Sequence, residues 1–178
     1  MTDAMIDIET LGTDPDSVIL TVGAVKFDPK NLKEPTQKVT WKLDTDEQFV
    51  LDRKTSESTL EWWGRQDPEI RARAFADHGR IGLDAFFKEF NKYVTGCKNI
   101  WCQGPQFDMV MIENLYRQKL HHTSWKYWQI KDSRTLFSLM EVDPRKAIQV
   151  EAHDAAEDAY WQAVCVQKTF KYFGLEDA

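Results

Sequence analysis

The chain has 178 residues, with 23 Lys and Arg against 29 Asp and Glu and a formal net charge of −6. That balance excludes a general duplex-coating protein, whose non-specific affinity comes from neutralising phosphates with cations. The three cysteines, Cys97, Cys102 and Cys165, follow no C-x-x-C or Cys/His spacing, which excludes a disulfide framework or a zinc finger and reads as buried, reduced thiols.

The N-terminus moves straight into a strand pattern, with no basic and then apolar leader and no long apolar run, so a soluble, cytoplasmic protein of one domain over residues 1–178 is expected. Strands are predicted at 4–9, at 18–27 ("VILTVGAVKF") and at 36–43, with "GTDPD" and "DPKN" as turns between them. Three close strands without helices suggest an antiparallel meander. In the first strand, "MIDIET", Asp7 and Glu9 stand two residues apart and therefore share a face, their α-carbons about 6–7 Å from each other. Two such carboxylates repel unless a cation joins them.

The rest reads as mostly helical. "ESTLEWWG" at 57–64 is a short helix with Ser58 as its expected cap and Gly64 as its stop, and another begins at Pro68. Neighbours on a helix diverge by about 100°, so Trp62 and Trp63 cannot both face the core. Spacing does not separate the two, and Trp63 is carried as the groove-lining candidate. Leu83, Phe86, Phe87, Phe90 and Val94 recur at helical spacing, "NIWCQG" is a short strand, a helix covers about 106–118, and the last helix runs over about 155–173. The order implies a layered α/β or α+β fold. Residues 117–146 carry 7 cations against 3 anions, together with Trp125, Tyr127 and Trp128. That mixture suits single-stranded nucleic acid, and Lys126, Lys131 and Arg134 are its candidate contacts with the substrate backbone.

Acids recur at two helix entrances. Phe107 falls on the apolar face of its helix and Asp108 one residue off it, in the first turn, where dipole complementation alone would account for an acid. Near the last helix, Asp154 with Glu157 makes an acidic variant of the capping box, which leaves His153 and Asp158 unexplained. Taken together, Asp7-Ile8-Glu9-Thr10, Gly104-Pro105-Gln106-Phe107-Asp108 and His153-Asp154-Ala155-Ala156-Glu157-Asp158 resemble the three ordered motifs of the DEDDh exonucleases, the DnaQ-like superfamily. Gly104 departs from the Asn that many members carry. The closer resemblance is to phage exodeoxyribonuclease A and related small bacterial exonucleases.

The resemblance implies a ribonuclease-H-like mixed sheet flanked by helices and a 3′→5′ exonuclease. Such an enzyme releases nucleoside 5′-monophosphates from single-stranded DNA ends, with an exoribonuclease of the same machinery as the alternative and a catalytically silent nucleic-acid-binding platform as a more distant one. It implies that Asp7, Glu9, Asp108 and Asp158 hold two Mg²⁺ or Mn²⁺ ions and that His153 is the general base. Hard oxygen ligands without a thiolate or a His pair suit those ions. It also implies that Thr10 and Leu11 contact the terminal nucleotide, Leu11 as a wedge; Phe107 and Trp63 are further substrate-contact candidates.

Overall fold

The computed structural model describes residues 2–148 and 153–176. Six strands form one sheet: β1 (Asp3–Thr10), β2 (Ile19–Phe27), β3 (Thr36–Leu43), β4 (Arg80–Ile81), β5 (Ile100–Cys102) and β6 (Ile130–Asp132). Their order is β4-β3-β2-β1-β5-β6. The first three are the expected antiparallel meander, while β5 and β6 run parallel to β1. Seven α-helices accompany them among the described residues: α1 (Thr45–Val50), α2 (Glu57–Gly64), α3 (Pro68–Phe75), α4 (Leu83–Val94), α5 (Asp108–Gln118), α6 (Ser133–Phe137) and α7 (Ala155–Tyr172).

The alternation of β1 divides the core. Ala4, Ile6 and Ile8 face a cluster built from Phe86, Phe87 and Phe90 of α4 and Met111, Ile112 and Leu115 of α5. Met5 faces the opposite way, toward Ala159, Ala163 and Val166 of α7. Asp7 and Glu9 share the parity of Met5, so both carboxylates stand on the α7 side. Gly23, the register partner of Asp7 on β2, makes the close approach of α7 possible. A Cβ there would lie 2.1 Å from the backbone carbon of Ala155, so only glycine lets the helix entrance settle on the strand.

The pairing of β1 with β5 covers only Ala4 with Ile100 and Met5 with Trp101. Beyond Met5 the two strands part, and a crevice opens at the carboxyl ends of the parallel strands, where open α/β sheets commonly bind ligands. A register shift between Glu9 and Thr10 marks the same end of β1. Arg53, 3% exposed, ties the turn after β1 to α5: its Nε donates to the Ser17 carbonyl at 2.9 Å and its Nη1 to Asn114 Oδ1 at 2.9 Å and Gln118 Oε1 at 2.7 Å.

Two local details differ from the sequence reading. The cap of α2 is Ser56, whose hydroxyl accepts from the Thr59 amide, because the helix starts two residues earlier than a Ser58 cap allows. Asp154 does cap α7, accepting from the amides of Ala156 and Glu157, but Glu157 turns away to pair with Lys38 at 2.5 Å and closes no capping box. The cysteines are buried and free as expected. No helix among the described residues is long and apolar enough to cross a membrane.

Candidate active site

Three elements deliver acids to one cleft of about 1040 Å³ lined by Asp7, Glu9, Asp108, His153 and Asp158. The strand β1 supplies Asp7 and Glu9, α5 supplies Asp108 as its first residue, and α7 supplies Asp158 in its first turn. Asp158 Oδ2 accepts from the His153 amide at 2.9 Å. The backbone of His153 sits at φ 75°, a left-handed conformation uncommon for a residue with a side chain and typical of places where function constrains the chain. Its imidazole meets the indole of Trp62 edge to face, with ring centroids 4.6 Å apart. One ligand atom from each of Glu9, His153 and Asp158 lies within 4.8 Å of the other two.

The electrostatics follow from crowding in a desolvated space. Glu9 is 8% exposed, and burial, followed by the charges of Asp158, Asp154 and Asp108, pushes its carboxyl up to about 8. Asp108 is 4% exposed and is pushed up to about 7, mainly by burial, against the pull of backbone amides at Asp108 and Ile8 and of Arg134. The Asp7 carboxyl is raised well above the usual carboxylate range by burial and by Asp108, Glu9 and Asp158, while a hydrogen bond from Gln162 works the other way. Burial raises Asp158 as well, against the His153 amide bond. Four acids that each disfavour ionisation are a poor arrangement for folding and a fitting one for cations, which would restore every charge at once. The donor set is oxygen-rich, with the cysteine thiol of the cleft wall, Cys165, itself pushed up to about 11 by burial.

The remaining candidates divide. Thr10 lines the cleft, its hydroxyl donating to the Gly12 carbonyl at 2.7 Å, and Phe107 lines it while packing against the α4–α5 core. Arg134 is on the rim, with Nη2 donating to the Gln103 carbonyl at 3.0 Å. Leu11 is not on the cleft wall: it is 6% exposed and packs with Val18, Leu20, Trp63 and Ala74. Trp63 is likewise a core residue, 1% exposed with Nε1 donating to the Thr10 carbonyl at 2.9 Å, and it is Trp62, 38% exposed, that lines the cleft.

Lys126 and Lys131 are not on the cleft wall. Lys126 precedes β6, whose first residue pairs with Ile100 and through it stands level with Ala4, so it lies at the opposite end of the sheet from Glu9. The Lys131 ammonium donates to the Trp128 carbonyl at 3.0 Å. Trp125 is 4% exposed and donates to Glu113, so the basic stretch does not act as one surface. Sequence reasoning passed over Trp161, Gln162 and Arg145, all on the cleft wall. Gln162 was findable, since it follows Asp158 by one helical turn; Arg145 reaches the site only through the tertiary path of the 3₁₀ turn at Pro144–Ala147.

A family model described as the 3′-5′ exoribonuclease Rv2179c-like domain matches residues 2–170. The chain belongs to that family. It is a 3′–5′ exonuclease on the expected ribonuclease-H-like fold. An exodeoxyribonuclease of Enterobacteria phage T4 is 28% identical over 217 residues, which cover 100% of this chain and 93% of that protein. Among solved structures, a zinc-bound Escherichia coli exonuclease I–single-stranded DNA complex superposes with a TM-score of 0.68 at 17% identity, covering 96% of this chain and 40% of that one. The E. coli exonuclease I complex with a dA16 oligonucleotide gives 0.67 at 18% identity, over 96% and 41%. This exonuclease thus spans about two fifths of the length of those chains, and the likeness concerns the fold.

Proposed function

We propose that this exonuclease acts as one catalytic domain that removes nucleoside 5′-monophosphates from the 3′ ends of single-stranded DNA. In this reading Asp7, Glu9, Asp108 and Asp158 hold two Mg²⁺ or Mn²⁺ ions and His153 is the general base. The observation that carries the reading is the convergence of four mutually repelling, desolvated carboxylates and one imidazole on a single open cleft. When bound, the ions would activate water and stabilise charge on the phosphate and the leaving 3′ oxygen.

The protein's own groups do the rest. His153, which lies beside Glu9 and Asp158, would take the proton of the attacking water at a ring nitrogen, a contribution of about 10²–10⁴-fold for positioned bases. Asp158 holds the backbone of that histidine and Trp62 holds its ring. Arg134 presents a cation at the rim, where the phosphates of a single strand would pass. Arg145 is the weaker candidate for that role because its guanidinium is already engaged by Asp143, with Nε donating at 2.9 and 3.0 Å. Trp62 and Phe107 offer aromatic surface to bases.

RNA is the second reading, favoured by the description of the matching family, whereas the phage relative favours DNA. Labelled single-stranded DNA and RNA of matched sequence, incubated with Mg²⁺ or Mn²⁺ and read as product ladders, test both. Shortening from the 3′ end of the DNA is expected. Faster shortening of the RNA would move the assignment to the second reading, and resistance of both substrates would sink the two-cation site as drawn.

A further inference from the structure

Gln162 follows Asp158 by one turn of α7, so the two side chains project from the same face. It is 9% exposed, and its Nε2 donates to Asp7 Oδ1 at 2.8 Å. With the Asp7 carboxyl ionised, as cations would keep it, only one orientation of the amide is workable, because the other would set two acceptor oxygens against each other. That orientation leaves Gln162 Oε1 buried with no hydrogen-bond partner among the described residues. A buried acceptor left unmade is costly, and folded proteins keep few of them. The inward positions around it on α7 are Ala159, Ala163, Cys165 and Val166, so packing alone would favour an apolar residue at 162.

We propose that Gln162 is a positioning residue for Asp7: its amide engages one carboxylate oxygen and thereby fixes the other toward the cations shared with Glu9 and Asp158. The inference rests on the two-cation reading above. Asp7 comes from a strand and Asp158 from a helix, and among the described residues Gln162 makes the one direct side-chain hydrogen bond between their two elements at the site. A free carboxylate at position 7 would rotate away from its three acidic neighbours, and the amide holds it against that repulsion. The unmet acceptor is the cost of keeping a donor there.

The test is Gln162→Met, which preserves length and apolar bulk and removes the donor. Metal-free melting should be unchanged or higher, since the unmet acceptor is gone. Calorimetric titration with Mn²⁺ should show affinity lower by about 10–100-fold, the usual effect of losing a partner of a metal ligand. Turnover should fall more than KM changes, and excess Mn²⁺ should recover part of it. On an Asp7→Ala background, which removes the acceptor of the Gln162 amide, the same change should add no further loss of Mn²⁺ affinity.

An isotherm and kcat within twofold of the native enzyme would overturn the inference, as would a lower melting point with unaltered Mn²⁺ affinity. If the native enzyme itself bound no Mn²⁺, the two-cation reading would fall first and this inference with it. Should Gln162→Met not fold, the ¹⁵N side-chain amide of Gln162 in the native enzyme decides. Slow exchange maintained at saturating Ca²⁺ supports the role, and release to free-amide shifts overturns it.

Discussion

Individual side chains at the site are held in a state that folding alone would not choose. Glu9 and Asp108, with carboxyls pushed up to about 8 and about 7, retain protons in the folded protein at pH values where the unfolded chain has released them. The folded state then binds more protons, so metal-free stability should decline as pH rises from the ordinary carboxylate range toward 8, by at most about 1.4 kcal/mol per pH unit for each such proton. Melting curves in EDTA across that window check the sign, and added Mg²⁺ or Mn²⁺ should flatten the slope. By the same logic Asp7→Asn and Asp158→Asn should abolish hydrolysis yet melt at the same or a higher temperature without metal, since each removes one of several crowded charges. Asn at position 7 also keeps an oxygen for the Gln162 amide. A fall in melting temperature in both variants, measured beside activity, would favour a purely structural role for these acids.

At the level of elements, the entrance of α7 must lie hard against β2 for Asp158 to reach Asp7, and Gly23 is what permits it. Gly23→Ala should destabilise by about 1–3 kcal/mol, as overpacking does, and should cost activity beyond the loss of folded protein because the first turn of α7 must move. Gly64 is the control. It ends α2 with nothing within 4 Å of an added Cβ, so Gly64→Ala should be stabilising by about 0.4–1 kcal/mol through the unfolded state, with activity unchanged. Denaturant unfolding and turnover per folded molecule, measured on both variants, separate the two effects. The short pairing of β5 matters as much, because a longer β5 would close the crevice into which Asp108 turns from the start of α5.

Across the whole molecule, which cation stands at the acidic cleft is set by the fold and not by the run of sequence that contains it. Arg134 stands at the rim while Lys126 sits beyond the opposite end of the sheet, although only eight residues separate their numbers. Arg134→Ala should weaken binding to unrelated single-stranded sequences alike and flatten the log–log salt dependence by about 0.7, the value for one phosphate contact. Lys126→Ala should leave hydrolysis of a dinucleotide unaltered. Fluorescent oligonucleotide titrations at several salt concentrations, with Ca²⁺ in place of Mg²⁺, measure the first effect, and product release from the dinucleotide measures the second.

Local spacing along the chain was enough to read a good part of the fold and the site. The parity of Asp7 and Glu9 put both on one face of a strand, the apolar periodicity of 83–94 made a buried helix, and three ordered motifs pointed to the exonuclease fold and placed five residues that share one cleft. These are properties of a strand or a helix turn and survive without knowledge of the rest of the chain. Which of two adjacent tryptophans lines the cleft took the packed molecule to settle, because helical spacing says that they diverge and not in which direction. The tertiary structure also decided that Leu11 belongs to the core with Trp63, that Lys126 and Lys131 leave the site while Arg134 and Arg145 join its wall, and that Gln162 grips Asp7. Each of these depends on which distant element packs against which. That is fixed by sheet order, by the close approach at Gly23 and by where β1 and β5 part, none of which a local pattern of residues encodes.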